Sequence, residues 1–226
     1  SSATPVLTAK YHELAADANT VALWHLNEAS GNAVDSSGNG NTGTPTGTTV
    51  VAGKIGNART IASTNRIQVA DNNSLDLTTA LTLEAWIYQP SNNVNAGLIY
   101  KGNYASTQGV YSLGFMNGVN SKVLARLNGS TTEGSGQVTS NTIIPTNQWT
   151  HVALTYDQST EKIYINGVLD ASQPYTTAVS ADANPLYLGS YYNTSYSFIG
   201  NIDEIRISNV ARSPEEIKQD AQRFPY

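Results

Sequence analysis

The fold of this chain is clearest in two runs, Trp149-Thr-His-Val-Ala-Leu-Thr-Tyr-Asp157 and Glu161-Lys-Ile-Tyr-Ile-Asn-Gly-Val168. Both runs are rich in β-branched and aromatic residues, and the polar tetrad Asp157-Gln-Ser-Thr160 separates them. This is the pattern of a β-hairpin with its turn in the tetrad, and Asn166-Gly167 marks a second reversal of the chain. The stretch therefore predicts a series of antiparallel strands.

The first run has the pattern of a strand that is buried on both sides. Successive side chains of a strand point to opposite faces. Neither face of this run is charged, since one carries Val152, Leu154 and Tyr156 and the other carries Trp149, His151 and Ala153. Strands covered on both faces lack the hydrophobic–polar alternation of half-exposed strands. We therefore expect a central strand of a β-sandwich.

Short strand-like segments with turn signals between them continue along most of the chain. Further strands are predicted at Val21–Leu26, Ala58–Ile61, Arg66–Val69, Leu81–Tyr88, Gly97–Lys101, Val110–Phe115, Lys122–Leu127, Pro185–Gly189 and Phe198–Ser208. Many short strands with regular turns are typical of an all-β sandwich or barrel. We assign residues 1–20 to an N-terminal extension or linker, and residues 21–226 to one domain.

One short helix is predicted near the C-terminus. Ser213 is a suitable N-cap, Pro214 suits the first helical position, and Glu216 completes a capping box. Ile217 and Ala221 then lie one turn apart and form a small apolar stripe.

Composition excludes several classes of protein. The chain has 226 residues, with 12 Lys and Arg against 17 Asp and Glu, a net charge of −5 and a pI near 5.1. Nucleic-acid binding needs a concentrated basic face, which this scattered charge does not provide. There is no cysteine, which excludes disulfides and thiol catalysis. No apolar run approaches the ~20 residues of a membrane-spanning helix, so we expect no membrane insertion.

Four segments, in this order and spacing, resemble the laminin-G-like jelly-roll domains of the concanavalin A-like lectin/glucanase superfamily. They are Leu75–Leu77 with Leu83–Ile87, Gln148–Asp157, Lys162–Val168, and Gly200–Ile207 leading into Ser213–Ile217. The resemblance implies an all-β fold of two antiparallel sheets packed face to face, one of them concave. It also implies that loops at the rim carry the binding. Because this fold hosts lectins, adhesion modules and enzymes alike, the resemblance specifies the function poorly.

A polar, glycine-rich loop at residues 27–47 is a candidate calcium site. Asp35-x-Ser37-x-Asn39-Gly40 matches the opening of an EF-hand loop, but the closing glutamate position is Thr46 and no helices flank the loop. A more general calcium loop stays open, because Ca²⁺ binds six to eight oxygens of the kind that are dense here. The alternative is a turn in which Asp35 caps backbone amides.

The resemblance extends this calcium prediction to specific ligands. Family members often hold a structural Ca²⁺ where such a loop meets the aspartate of the late Ile-Asp-Glu-Ile-Arg strand. Carried over, the ligands are the Asp35 side chain, the Gly38 carbonyl, Asn41 and Asp203. The alternative places Asp203 in a salt bridge with Arg206 or Arg59.

No catalytic pattern emerges, so we predict that the protein is not an enzyme. Glucanases of this fold typically carry Glu-x-Asp-x-x-Glu on one strand, and the chain has no such triplet. Glu84 is interpreted as a structural acid, and Asp203 and Glu204 are adjacent and so point to opposite faces of a strand. His25 and His151 are interpreted as hydrogen-bonded histidines within apolar strands rather than as zinc ligands.

Tyrosines in polar segments are the candidate ligand-binding residues. A tyrosine ring offers an apolar face and a hydroxyl, which suits the C–H faces and hydroxyls of a sugar. Neighbouring polar side chains would supply hydrogen bonds, which gives the candidate set Tyr100, Lys101, Tyr104, Arg126, Asn128, Tyr191, Tyr192, Asn193 and Tyr196. The alternative is that these tyrosines only pack over the ends of the sandwich.

We therefore expect a non-catalytic, lectin-like binding module of a larger secreted or cell-surface protein, with glycan as its partner and a structural calcium ion. The leading alternative is an adhesion module that contacts a surface protein. A glycoside hydrolase is the third hypothesis.

Overall fold

The computed structural model describes residues 12–103, 108–116, 118, 121–192 and 195–222. Within these residues two antiparallel sheets pack face to face, as expected for a jelly-roll sandwich. In spatial order, sheet A consists of β13 (Val168–Pro174), β12 (Thr160–Ile165), β11 (Trp149–Tyr156), β6 (Leu81–Tyr88), β17 (Gly200–Ser208), β4 (Asn57–Ile61) and β3 (Thr49–Ala52), with β1 (Thr20–Trp24) also paired to β17.

Sheet B forms the second layer. Its spatial order is β10 (Gln137–Ile143), β9 (Lys122–Leu127), β8 (Gln108–Phe115), β7 (Gly97–Asn103), β14 (Leu186–Leu188), β5 (Arg66–Val69) and β2 (Gly43–Thr46). The small hairpin of β15 (Ser190–Tyr191) and β16 (Ser195–Ser197) lies beside β7. A single 3₁₀ turn, Asn73–Leu75, follows β5.

The hairpin predicted from the Trp149 stretch is confirmed. β11 pairs with β12 from Val152↔Ile165 to Tyr156↔Glu161. The second reversal connects β12 to β13, and its two central residues Asn166 and Gly167 have φ angles of +50° and +79°. Positive φ at both central residues is the geometry that favours Asn-Gly in tight hairpins.

Strand β11 is central and buried on both faces, as its sequence predicts. Val152, Leu154 and Tyr156 lie in the core between the sheets. On the opposite face Ala153 packs with Tyr164 and with Ile217 of the C-terminal helix α1 (Pro214–Ala221). Helix α1 has the predicted capping box between Ser213 and Glu216. The helix therefore covers part of the outer face of sheet A.

A buried polar network fills the rest of the space under this helix. Arg206 Nε donates to Glu84 Oε1 at 2.8 Å, and His151 Nε2 lies 3.1 Å from Glu84 Oε2. Arg206 also pairs with Asp220 of α1. Burial by itself raises the pKa of Glu84, but the charges of Arg206 and His151 outweigh burial and lower that pKa to about 2. Glu84 is thus the structural acid that the sequence predicts.

The described part of the predicted N-terminal extension, residues 12–20, packs onto the same face. Leu14 is buried, and its amide donates to Glu204 Oε2 at 2.6 Å. The other carboxylate oxygen of Glu204 lies 2.8 Å from His25 Nδ1, and this contact raises the pKa of His25. Arg212 binds Asp17 at 2.9 Å. These contacts tie the segment to the domain.

Six observed strands were not predicted from the sequence. β15 and β16 form the small hairpin beside β7, and the other four, β2, β3, β10 and β13, are the outermost strands of the two sheets. An edge strand has a neighbour on one side only and tolerates polar side chains. Their sequences are accordingly polar or mixed, and many of their residues are exposed. The alternation of apolar and polar residues, by which strands are recognised in a sequence, is therefore weakest in these four outermost strands.

No helix among the described residues is long and apolar enough to cross a membrane.

Glu161 of β12 is a buried acid that has no ion pair or hydrogen bond to its carboxyl group among the described residues. Its side chain is fully buried, and neither carboxylate oxygen has a hydrogen-bond partner among the described residues. Burial raises the pKa of Glu161 to about 8, and the negative charge of Glu133 adds to this effect. Between pH 4.5 and about 8 the folded state therefore holds a proton that the unfolded state has released. The free energy of unfolding falls as the pH rises through this window.

We expect Glu161→Gln to remove this pH dependence. Glutamine does not titrate, so the variant should match the wild type near pH 5 and gain about 1–4 kcal/mol in unfolding free energy at pH 8.5, at about 1.4 kcal/mol per pKa unit. Denaturant unfolding at the two pH values measures the difference. Glu215→Gln, at an exposed position of α1, is the control and should show no such gain. An equal effect of Glu161→Gln at both pH values contradicts the prediction.

Candidate functional site

The outer face of sheet B carries a row of polar and aromatic side chains. The pairing registers align one residue from each strand, so that the row crosses the whole sheet as Thr44, Gln68, Tyr187, Tyr100, Ser112, Arg126 and Gln137. Their strand neighbours, such as Ile99 and Leu113, point into the core instead. Since α1 and the N-terminal segment cover part of the outer face of sheet A, this row marks the more open sheet face for a ligand.

A pocket of about 240 Å³ opens at the middle of this row. We call it the outer-face pocket. It is lined by Asn95, Tyr100, Gly109, Ser112, Arg126, Gly129, Thr131 and Tyr191. It thus combines two aromatic rings, one cation and several hydrogen-bonding groups. A second cavity of about 300 Å³ shares Gly109 with it and so lies beside it.

Two glycines of β8 allow the tyrosines to lie close to the sheet. A Cβ atom on Gly109 would be 2.4 Å from the Tyr100 ring, and a Cβ on Gly114 would be 2.3 Å from the Tyr191 hydroxyl oxygen. Both distances are too short for any side chain larger than hydrogen. The two rings meet edge to face, with centroids 5.6 Å apart. The small residues of β8 therefore set the position of both rings.

The hydroxyl of Tyr191 is buried and has no hydrogen-bond partner among the described residues. Burial raises the pKa of Tyr191 to about 12, although the charge of Arg126 opposes the shift. The phenol is therefore protonated at neutral pH. A buried hydroxyl without a partner costs about 1–3 kcal/mol, which a suitable ligand atom would recover.

The guanidinium of Arg126 is held by its inner nitrogen. Arg126 Nε donates to Gln137 Oε1 at 3.1 Å, and Gln137 Nε2 in turn donates to Glu133 Oε2 at 3.2 Å. Among the ion pairs of the described residues, none involves Arg126. Among the described residues its two terminal nitrogens have no hydrogen-bond acceptor.

The structure brings together three of the predicted ligand-binding residues, since Tyr100, Arg126 and Tyr191 all line the pocket. Tyr192 lies beside them, with its ring 5.8 Å from that of Tyr187. Tyr196 is exposed on β16. Two further candidates, Tyr104 and Asn193, lie outside the described residues.

Lys101 and Asn128 have structural partners elsewhere. Lys101 is fully buried, and its ammonium group pairs with Asp71 at 2.7 Å and with Asp182 at 3.0 Å. It follows Tyr100 in β7, so it points to the opposite face and does not line the pocket. The Asn128 side chain donates to the Tyr175 hydroxyl at 3.0 Å and fixes a loop, although it lines the second cavity.

Sequence analysis missed the small residues that shape the pocket. Gly109, Ser112 and Gly114 all belong to β8, and they separate the tyrosines from Arg126 on this face. The available signal was the pair of small residues Ser112 and Gly114, which alternate with the core residues Tyr111, Leu113 and Phe115 along β8.

Asp35 holds the Asn/Gly-rich loop through protein hydrogen bonds. Its Oδ1 accepts from the amides of Leu23 at 3.0 Å and Ser37 at 2.9 Å. Its Oδ2 accepts from the Ser37 hydroxyl and the Asn41 amide, both at 2.8 Å. The turn in which Asp35 caps backbone amides is therefore present. A calcium ion at Asp35 would have to displace some of these four donors.

Asp203 offers a different environment within the predicted ligand set. It is fully buried and accepts from the amides of Ile55 at 3.0 Å and Glu204 at 2.8 Å. Burial raises its pKa to about 7. Neither Arg206 nor Arg59 pairs with Asp203. Arg206 binds Glu84 and Asp220, and Arg59 binds Glu28. Asp203 thus suits a cation better than Asp35 does, and calcium binding stays a prediction.

Comparison with known proteins supports the fold and a binding role. A family model described as the concanavalin A-like lectin/glucanases superfamily matches residues 62–218. No curated protein matches this chain. Among solved structures, domain 4 of AbnA, a GH43 extracellular arabinanase from Geobacillus stearothermophilus, in complex with arabinotriose, has a TM-score of 0.70 and 25% identity. That match covers 90% of this chain and 98% of the other.

Binding domains of toxins show the same fold at lower identity. The binding domain of Paraclostridial Mosquitocidal Protein 1 has a TM-score of 0.71 at 18% identity, and the match covers 90% of this chain and 52% of that one. The binding domain of botulinum neurotoxin DC in complex with SialylT has a TM-score of 0.68 at 14% identity, with 92% and 52% covered. This chain therefore spans about half the length of these toxin chains.

We expect Asp35→Ala to destabilise the domain, because it leaves up to four donors at the loop without an acceptor. At about 1–3 kcal/mol for a lost partner of a buried group, the free energy of unfolding should fall by about 2–4 kcal/mol. Denaturant unfolding by circular dichroism measures this. The exposed neighbour variant Val34→Ala serves as the control, with a change within about 0.5 kcal/mol. If Asp35→Ala leaves the free energy of unfolding unchanged, these hydrogen bonds do not hold the loop.

Proposed function

Since this chain belongs to the concanavalin A-like lectin/glucanase superfamily, we propose that it is a non-catalytic carbohydrate-binding module whose ligand occupies the outer-face pocket. The observation that carries the proposal is the hydroxyl of Tyr191, the residue whose ring packs edge to face against Tyr100. This hydroxyl is buried and has no hydrogen-bond partner among the described residues. Native proteins satisfy most buried polar groups, so such a group calls for an explanation. A ligand hydroxyl is the explanation that this pocket favours.

The chemistry of the pocket matches the surface of a sugar. A sugar ring presents C–H groups on its faces and hydroxyls around its rim. The rings of Tyr100 and Tyr191 provide apolar contact area, while Ser112, Asn95 and Arg126 provide hydrogen-bonding groups. Pockets of this kind combine apolar walls with a few placed polar groups. The arabinanase domain in complex with arabinotriose, which the chain covers almost completely, supports the same assignment.

The environments of the acidic residues support a binding role rather than hydrolysis. Glycoside hydrolysis uses two carboxyl groups that flank the scissile bond. None of the described residues that line the outer-face pocket is acidic. Glu84 is committed to Arg206 and His151, and Asp182 of the second cavity binds Lys101. The proposed module thus recognises its ligand without cleaving it.

We further propose that the module acts outside the cell as part of a larger protein. Two comparisons support this placement. The arabinanase that contains domain 4 of AbnA is extracellular, and this chain matches about half the length of the toxin binding domains.

A protein partner is the second candidate function, and one surface favours it. Ile143, Val168 and Leu169 each expose more than half of their side-chain surface. They lie where β10 meets β13, since the Asn141 amide donates to Asp170 at this edge. Clustered apolar side chains at an exposed edge suit protein contact. Glycan binding is preferred because the outer-face pocket combines aromatic and polar groups in a defined cavity.

The calcium site remains part of the proposal and has a direct test. If Ca²⁺ binds at the set that includes Asp35 and Asp203, EDTA should lower the melting temperature by several degrees, and added Ca²⁺ should restore it. Differential scanning calorimetry of the protein, with Mg²⁺ as the control ion, measures this. An unchanged melting temperature removes calcium from the proposal and leaves the hydrogen bonds of Asp35 to hold the loop.

We expect Tyr191→Phe to lower glycan affinity without loss of stability. The substitution removes only the unpartnered hydroxyl, so the free energy of unfolding should stay constant or rise by about 1 kcal/mol. Affinity for the best glycan should fall about threefold to tenfold, which is the net value of one hydrogen bond. A glycan array identifies the glycan, and isothermal titration calorimetry measures the affinity.

Tyr88→Phe is the matched control, because it removes a tyrosine hydroxyl on sheet A that contacts Asn147. Its glycan affinity should equal that of the wild type. Glycan binding that is unaffected by both Tyr191→Phe and Tyr100→Ala would place the ligand elsewhere. Absence of any glycan binding by the wild type would favour the protein-contact hypothesis.

A further inference from the structure

We propose that the outer-face pocket selects acidic glycans, with the guanidinium of Arg126 binding the carboxylate of one sugar residue. This inference rests on the proposed function and specifies its ligand class. The ligand class follows from the charge that the pocket presents, from the groups that surround that charge, and from the size of the cavity.

Arg126 differs in its partners from the three arginines that are buried in the described part of the chain. Arg59, Arg206 and Arg212 each pair with one or more carboxylates of the chain. Arg126 has no such pair among the described residues and donates only its Nε proton, to the neutral amide of Gln137. The chain as a whole carries a net charge of −5. Arg66, which is partly buried and also lacks an ion pair among the described residues, donates to the Thr64 carbonyl at 3.4 Å and does not line the pocket. Arg126 is thus the arginine without an acid that faces a cavity with aromatic and hydroxyl groups.

The surroundings of Arg126 leave its charge exposed to the ligand. The described lining contains no acid. The nearest acid in the hydrogen-bonded chain, Glu133, reaches Gln137 and not Arg126 itself. Glu133 also accepts from the Thr139 amide at 3.0 Å, so it is held on the far side of Gln137. Gln137 thus holds the guanidinium at Nε, and among the described residues the two terminal nitrogens have no hydrogen-bond acceptor. The terminal nitrogens of a guanidinium form a fork that can bind a carboxylate in a bidentate manner.

Tyr191 provides a second donor for the same anion. Tyr191 lines the same pocket as Arg126, and its buried hydroxyl lacks a partner among the described residues. The high pKa of Tyr191, about 12 as a result of burial, keeps the phenolic proton in place at neutral pH. The pocket thus presents charged and neutral donors together. A carboxylate, which only accepts hydrogen bonds, satisfies both.

The remaining features identify the anion as part of a sugar. The edge-to-face pair of Tyr100 and Tyr191 provides apolar surface for a ring, and the Ser112 hydroxyl lies in the same row between Tyr100 and Arg126. At about 240 Å³ the pocket is smaller than the ~300–1,000 Å³ of typical drug-sized ligand sites. It therefore suits one sugar residue. A uronic acid or another sugar carboxylate within a glycan has this chemistry.

The test compares acidic glycans with neutral counterparts. Isothermal titration calorimetry of the whole protein measures two pairs. In the first pair oligogalacturonate is acidic and its methyl ester is neutral. In the second pair glucuronoxylan oligosaccharides are acidic and unsubstituted xylo-oligosaccharides are neutral. We expect the wild type to bind at least one acidic member tenfold or more tightly than its neutral counterpart. We expect Arg126→Gln to abolish that preference while weak binding to the neutral counterpart persists. Lys162→Gln, which removes an equal charge from β12 of the other sheet, should leave the preference unchanged.

Each other outcome argues against the inference in a recognisable way. If the wild type binds neutral members as tightly as acidic ones, or if Arg126→Gln retains the preference, the inference is overturned while the proposed function stands. If Lys162→Gln removes the preference equally, the effect is nonspecific charge attraction and Arg126 has no special role. If no neutral or acidic glycan binds, both the proposed function and this inference fail. Equal unfolding free energies of Arg126→Gln and wild type confirm that the comparison concerns binding.

Discussion

The pairing of β11 with β6 along its entire length is the interaction on which the rest of the structure depends. The register runs from Trp149↔Tyr88 to Tyr156↔Leu81, and both faces of this pair are buried. One face contributes to the core between the sheets. The other is closed by helix α1, by the N-terminal segment and by the ion pairs of Arg206. The outer side of the β11–β6 pair in sheet A is thereby covered by other parts of the protein, and the outer face of sheet B remains open to a ligand.

Two kinds of buried polar group distinguish these faces. Under helix α1, Glu84 is compensated by Arg206 and His151, so its low pKa reports a stable internal network. On sheet B, the Tyr191 hydroxyl lacks a partner among the described residues and Arg126 lacks an acid. A polar group buried without a partner lowers stability, and a group that a ligand satisfies recovers that free energy on binding. The uncompensated groups therefore mark the site.

The interior strands of the fold were predictable from the sequence because their apolar residues fill the core. The bounds predicted for β6 and β9 coincide with the observed ones. The four outermost strands were not predictable in the same way, because edge strands such as β2 and β10 are polar and lack strong periodicity. The capping box of α1 was predictable, because it depends only on residues within one turn of helix.

The candidate site was predictable in its residue types but not in its assembly. Tyr100, Arg126 and Tyr191 were identified one by one, yet their meeting depends on the registers of three strands and on the space above Gly109 and Gly114. Such long-range register is not encoded in any local pattern. The placement of Lys101 follows from a simpler rule, since adjacent residues of a strand cannot both face the same pocket.

Amide chemical shifts, mapped during titration with the tightest-binding glycan of a neutral and acidic panel, show directly which face of the sandwich binds the ligand. If the outer face of sheet B is the site, the largest changes fall at Tyr100, Gly109, Ser112, Arg126, Thr131 and Tyr191, and the residues under helix α1 change little. Changes confined to the edge at Ile143, Val168 and Leu169, or spread over sheet A, would show that the ligand binds elsewhere.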